Sequence, residues 1–180
     1  MKKKTVTITL NGKKMAVDPE STVLQVAHKK GVDIPSLCGH ADFGCKANCR
    51  VCVVEIKGHR DLVTSCSTKV ESGMIISTES ERVVKSRNMN LELIFAEHIE
   101  KCAECIWRFE CKLLKYANKY KILLTFFNDR KGKRKTYRFA NSVELDGTQC
   151  IDCRNCIDAC AMQGINYLEI KGKGLDQEIV

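Results

Sequence analysis

His98-Ile99-Glu100-Lys101-Cys102-Ala103-Glu104-Cys105-Ile106-Trp107-Arg108-Phe109-Glu110-Cys111 sets one imidazole and three thiols at spacings of three, two and five residues. Four ligands of this kind, this close, point to a metal centre rather than to disulfides. Just upstream, Val84, Arg87, Leu91, Ile94, Phe95 and His98 recur at helical spacing. Apart from the arginine they form one apolar stripe, so the spacing predicts a helix that ends with His98 on its buried side. A lone histidine there is ordinarily a hydrogen-bonded core residue. Three cysteines directly after it turn the reading toward ligation.

The chain has 180 residues, room for one ordinary domain or two small ones, and twelve cysteines. A disulfide framework, a zinc protein and an iron–sulfur protein compete to explain so many thiols. Disulfides need export. Met1-Lys2-Lys3-Lys4 opens like a signal peptide, but Thr5 to Leu10 alternates and supplies no continuous apolar stretch. No segment approaches a membrane span. The chain is therefore expected in a reducing cytoplasm, with its cysteines as metal ligands.

Working outward to the amino terminus, Lys3 to Leu10 alternates as a strand, with Val6, Ile8 and Leu10 on one face. Asn11-Gly12 is a strong hairpin signal, and Lys13 to Val17 returns as a second strand. A helix is expected from about Thr22 to Lys30, with Val23, Val26 and Ala27 inward and Gly31 as its stop. The next stretch carries Cys38, Cys45, Cys49 and Cys52 in a loop long enough to wrap a metal centre. It runs into a strand from Val51 to Ile56. Leu62 to Cys66 and Gly73 to Thr78 read as two more strands. Cys38, Cys49, Cys52 and Cys66 make a four-cysteine set drawn from a loop and a strand end.

Toward the carboxy terminus, Leu113, Tyr116, Ala117 and Tyr120 form an inward helical stripe, with Lys112, Lys115, Lys119 and Lys121 outside. Ile122 to Phe127 and Lys135 to Phe139 read as paired strands. The basic tip between them, Asn128 to Arg134, reads as a solvated end or as a docking contact for an acidic partner. Last comes Cys150-x2-Cys153-x2-Cys156-x3-Cys160, the bacterial ferredoxin run, with Ala161 where proline usually follows.

Together these motifs resemble the iron–sulfur module found in the large iron–sulfur subunit of complex I. The same module occurs in [FeFe] hydrogenases and in the iron–sulfur subunits of NAD-linked [NiFe] hydrogenases and formate dehydrogenases. The resemblance runs in order from Lys3 to Gly164. It rests on Gly44-x3-Asn48-Cys49-Arg50-x-Cys52-x-Val54-Glu55 and on the histidine motif quoted at the outset. It implies an α+β fold in three parts. Residues 1–80 would be a ferredoxin-type β-grasp [2Fe–2S] domain held by Cys38, Cys49, Cys52 and Cys66. Residues 81–121 would be a small helical domain binding a [4Fe–4S] cluster through His98, Cys102, Cys105 and Cys111. Residues 122–180 would be a hairpin plus a ferredoxin-like segment, with a second [4Fe–4S] cluster on Cys150, Cys153 and Cys156. Its fourth ligand stays open between Cys160, the spare Cys45 and a partner residue. Cys45 lies off the family spacing and reads as an unligated thiol.

With three such clusters the formal charge of +8 falls to about +3, so the basic surplus is no argument for nucleic acid. Nor is there aromatic interleaving in the basic tip to support one. Trp107 and Phe109 are expected to keep water off the His98 centre. That centre is expected between the β-grasp domain and the Cys150 centre, packed against both. Nothing in the sequence resembles a substrate site. The resemblance implies an electron-transfer subunit of an NAD(P)H-linked oxidoreductase, electron-bifurcating complexes included. Its partners would be a flavin- and NAD(P)-binding subunit and a second redox subunit, whether hydrogenase, formate dehydrogenase or other reductase. The rival readings are a free-standing ferredoxin shuttle and a structural zinc module, for which the same ligand types are legal.

Overall fold

A computed structural model describes residues 5–129, 134–139 and 141–180. Strands β1 (Val6–Leu10) and β2 (Lys13–Val17) form the expected hairpin. Asn11 and Gly12 turn it with φ of 47° and 80°, the left-handed pair that a two-residue hairpin turn requires. The Asn11 amide also ties the hairpin turn to the end of the central strand of the sheet. It donates to Thr78 Oγ1 at 2.8 Å and accepts from Thr78 N at 2.9 Å.

Helix α1 (Val23–Lys29) starts at a capping box, with Thr22 and Gln25 satisfying each other's backbone N–H groups. Strands β3 (Val53–Ile56), β4 (Val63–Thr64) and β5 (Ile75–Ser77) complete a five-stranded sheet in the order β2-β1-β5-β3-β4. The β1–β5 pair is parallel and the other pairs are antiparallel. Alternation puts Ile8, Leu10, Val54, Ile56 and Ile76 against Val23, Val26 and Ala27 of α1 in one apolar core. Cys52 and Cys66 belong to that core, which anchors two of the first group's thiols in rigid structure.

Helix α2 (Glu81–Ala96) begins at Ser80, whose hydroxyl accepts from Val83 N, and ends directly before the histidine motif. Its inward side is Val83, Arg87, Leu91 and Phe95, one residue displaced from the expected stripe at its start. Helix α3 (Lys112–Lys119) packs on it through Leu113 and Ala117. The arginine in the stripe is fully buried. Arg87 Nη2 donates to Thr78 O at 2.5 Å, Nη1 donates to Glu79 Oε1 at 3.0 Å, and the guanidinium lies 5.2 Å from the Tyr120 ring centre. One side chain thus joins the exit of β5, α2 and the end of α3.

The expected pairing of Ile122 to Phe127 with Lys135 to Phe139 does not form. Residues 122–127 carry no strand, because Glu92 of α2 captures their backbone. Its Oε1 accepts from Thr125 N at 2.6 Å and Phe126 N at 2.7 Å, so these donors are not offered to a ladder. Those bonds, the Phe126 N–H first, hold the Glu92 carboxyl below the usual carboxylate range. Strand β6 (Thr136–Phe139) pairs instead with β7 (Val143–Asp146), antiparallel. Of the basic tip, residues 130–133 lie outside the described residues, while Arg134 points inward. Helix α4 (Asn155–Met162) carries the end of the last cysteine run. Strands β8 (Ile170–Lys171) and β9 (Glu178–Ile179) close the described chain as a short antiparallel pair. No helix among the described residues is long and apolar enough to cross a membrane.

Replacing Arg87 by alanine leaves Thr78 O buried without its charged donor, a loss of about 2–3 kcal/mol. Glu79→Ala, on a side chain 60% exposed, should cost under about 1 kcal/mol. Denaturant midpoints read by circular dichroism should therefore fall much further for Arg87→Ala. Equal midpoints would remove the guanidinium from this joining role.

Candidate metal centres

The first cysteine group sits between rigid and irregular backbone. Cys38, Cys52 and Cys66 are buried and Cys49 is half-buried. The loop folds back on itself at a bridge between His40 and Gly44, then turns with positive φ at Gly44, Ala47 and Arg50. Such kinks wrap a loop around a point instead of extending it into a strand.

The four thiols stand as two pairs. Cys52 Sγ and Cys66 Sγ are 3.1 Å apart. The hydrogen bond from Cys66 draws Cys52 down to about 6, against burial, and the same bond pushes Cys66 up. Cys38 and Cys49 repeat the pattern. The bond from Cys49 lowers Cys38 to about 5, helped by the backbone N–H groups of Cys49 and Asn48, while Cys49 is pushed up. Each pair shares a proton and presents one thiolate near neutral pH, ready for a metal that displaces the other proton. Among the described residues no three ligating side chains converge on one ion. A two-by-two set suits two bridged irons better than a single zinc ion. Cys45 is exposed, yet its thiol adds to the upward push on Cys66, after Cys52 and burial.

The second group follows from the end of α2. His98 N donates to Phe95 O at 2.9 Å, and a tight turn at Ile99–Lys101 brings Cys102 round. His98, Cys102, Cys105 and Cys111 line one small cavity with Phe95, Leu113 and Leu114. Burial raises Cys102 first, then the fields of Cys111 and Cys105. Leu114 N donates to Cys111 Sγ at 3.5 Å, where Cys111 caps α3. All four expected ligands therefore face the same space.

Trp107 and Phe109 do not cover this space, contrary to expectation. They are 66% and 86% exposed. Turns closed by Arg108 N to Cys105 O and Glu110 N to Trp107 O aim the flanking cysteines inward and leave the intervening side chains outside. The Arg108 guanidinium lies over Phe109, 4.6 Å from its ring centre. The apolar wall of the cavity comes instead from Phe95, Leu113 and Leu114.

The third group occupies a kinked loop and the first turns of α4. Asp152 and Arg154 have φ of 54° and 62°, alternating with the cysteines. Asp152 N donates to Cys150 Sγ at 3.3 Å. Burial and the Cys153 field raise Cys156, which places those two thiols near one another. Cys160, a turn further along α4, accepts from Tyr167 N at 3.2 Å.

The contacts among the three groups do not follow their order along the chain. Lys46 of the first loop forms an ion pair with Asp158 and donates to Asn155 Oδ1 at 3.2 Å. Asn48 Nδ2 donates to Asp152 O at 2.6 Å. The first and third ligand segments thus touch directly, and the expectation that the His98 centre separates them fails. Lys101 Nζ also reaches Thr148 O at 2.9 Å, so the second segment holds the chain just before Cys150. A further cavity is lined by Asn48 and Cys49, by Glu97 beside His98, and by Arg134, Ile151 and Asp152. Sequence reading gave Lys46 and Glu92 no role, and held Asn48 only as part of a motif and Arg134 only as the end of the basic tip. Nothing in their spacing signals a role, because their partners lie far along the chain.

Residues 3–81 match the family described as a 2Fe-2S iron-sulfur cluster binding domain. Over 162 residues the chain is 36% identical to the NADP-reducing hydrogenase subunit HndD of Solidesulfovibrio fructosivorans, covering 86% of this chain and 27% of that protein. It is 30% identical to the mitochondrial NADH-ubiquinone oxidoreductase 78 kDa subunit of Candida albicans, covering 97% of this chain and 25% of that subunit. It is 33% identical to iron hydrogenase 1 of Clostridium pasteurianum, covering 89% and 28%. The chain thus spans about a quarter of the length of these curated relatives. A chain of the NAD+-reducing [NiFe]-hydrogenase, solved in its H2-reduced state, superposes with a TM-score of 0.87 at 30% identity, covering 97% of this chain and 74% of that one.

Removing both polar ties with Lys46→Ala and Asn48→Ala should loosen the third segment by about 1–2 kcal/mol. Amides of α4 should then exchange hydrogen roughly ten-fold faster while those of β1 and β3 hold their rates. Unchanged exchange in α4 would mean that other contacts carry the docking.

Proposed function

Because the chain belongs to the iron–sulfur family shared by complex I, iron hydrogenases and NAD-linked hydrogenases, we propose that it is an electron-transfer subunit of a multi-subunit NAD(P)H-linked oxidoreductase. In this reading residues 1–80 are the β-grasp [2Fe–2S] domain, 81–121 the helical histidine-and-cysteine domain and 122–180 the ferredoxin-like domain. Cys38, Cys49, Cys52 and Cys66 hold a [2Fe–2S] cluster. His98, Cys102, Cys105 and Cys111 hold one [4Fe–4S] cluster. Cys150, Cys153 and Cys156 hold a second, with Cys160 the nearest further thiol. When bound, these clusters supply one-electron storage with little change of geometry.

The observation that carries the reading is the one apolar cluster against which residues of all three ligand segments pack. A transfer protein must keep its centres close, and this chain's own residues do so. Cys49, Cys102, Cys111 and Ile151 border one apolar cluster built on Leu91 and Phe95. The Lys46 and Asn48 contacts hold the first and third segments together. Backbone N–H groups aimed at Cys111, Cys150 and Cys160 sulfurs stabilise negative charge there. The family supports a flavin- and NAD(P)-binding subunit on one side, and a hydrogenase, formate dehydrogenase or other reductase on the other, in the cytoplasm.

Anaerobically reconstituted protein should be brown and hold about ten irons per chain, two plus four plus four. Cys49→Ser should abolish the [2Fe–2S] signal in electron paramagnetic resonance, and Cys45→Ser should keep it. A colourless protein with stoichiometric zinc would overturn the reading.

A further inference from the structure

The cavity where the ligand segments meet contains a buried cation that the ligand scheme leaves unused. The Arg134 side chain is only 11% exposed. Its Nη1 and Nη2 donate to the two Asp152 carboxylate oxygens at 3.0 Å and 3.1 Å, a fork-to-fork pair. Asp152 lies between Cys150 and Cys153, and its Oδ1 stands 3.5 Å from Cys150 Sγ. Its backbone is fixed as well, with N–H on Cys150 Sγ and O on Asn48 Nδ2. With the backbone fixed, the carboxylate cannot swing clear of the sulfur without breaking the Arg134 fork.

A carboxylate this close to a cysteine ligand opposes the extra negative charge of a reduced cluster. In a half-buried site that opposition is poorly screened. Nearby charge and hydrogen bonding are what set a cluster's reduction potential. We propose that Arg134 is a positioning residue for the Cys150 centre: its buried guanidinium neutralises and orients the Asp152 carboxylate beside Cys150 Sγ and so holds that centre's reduction potential up. This rests on the reading of Cys150, Cys153 and Cys156 as cluster ligands. Glu97 and Cys49 line the same cavity, so neighbouring centres feel the same cation, with the Cys150 centre responding most.

The test is redox titration of the full cluster-loaded chain, followed by electron paramagnetic resonance. The relevant signal is the one lost in Cys153→Ser. Arg134→Gln should move its midpoint to lower potential, and Asp152→Asn should move it to higher potential. The double variant should return close to the parent, and Arg134→Lys, which keeps the charge, should stay nearer the parent than Arg134→Gln. A merely structural role gives no such opposition of sign. If Arg134→Gln does not fold, Asp152→Asn and Arg134→Lys still decide the matter. A midpoint unmoved or raised in Arg134→Gln, or lowered in Asp152→Asn, would sink the inference while leaving the subunit reading intact. A parent protein with about six irons and no signal sensitive to Cys153→Ser would instead remove the third centre, and this inference with it.

Discussion

The packing of α2 on α3 through Leu91, Phe95, Leu113 and Ala117 is the contact on which the ligand segments depend. Irregular loops cannot hold thiols in place by their own backbone bonds, and each of these loops has little regular structure. Each therefore borrows rigidity from that one apolar cluster. Cys49 reaches it from the first loop, Cys102 and Cys111 from the second, and Ile151 from the third. The sheet core does the same for Cys52 and Cys66. The first group thus straddles two cores, so a shift between them would pull its two thiol pairs apart.

What was legible in the sequence followed period and local chemistry. Asn11-Gly12 reads as a hairpin because only left-handed φ fits a two-residue turn. Val23, Val26 and Ala27 with Gly31 as a stop announce α1, and the structure adds the Thr22–Gln25 capping box at its start. The stripe ending at His98 puts the imidazole beside three cysteines because helical spacing and cysteine spacing agree there. Within the first 81 residues nearly every element lies where pattern places it.

The failures share a different cause. Ile122 to Phe127 has strand composition, but Glu92, far back in the chain, takes the N–H groups that a ladder would need. Trp107 and Phe109 look like core residues, yet the turns needed to aim Cys105 and Cys111 inward leave them outside. Arg134 ends a run that reads as a solvated basic tip, and a carboxylate between two cysteines draws it in. In each case a polar or geometric demand from a distant segment overrides local propensity.

Charge placement then makes sense of the basic surplus that composition alone leaves ambiguous. Asp152 and Asp158 lie within the Cys150 run, and thiolates there would add to their negative charge. Each carboxylate is met by a cation from elsewhere in the chain, Asp152 by Arg134 and Asp158 by Lys46. Both cations come with their side chains 11% and 13% exposed, which is rare for such residues unless they are paired. At Asp158, docking and charge balance are therefore one interaction. The Lys46 contact that joins the first and third segments also keeps a carboxylate of the Cys150 run from standing as unopposed negative charge. Hydrophobic contacts of equal strength would hold the segments together but leave that charge in place. That difference is a physical reason for polar ties between these segments, even though apolar packing is usually the cheaper way to join parts of a small protein.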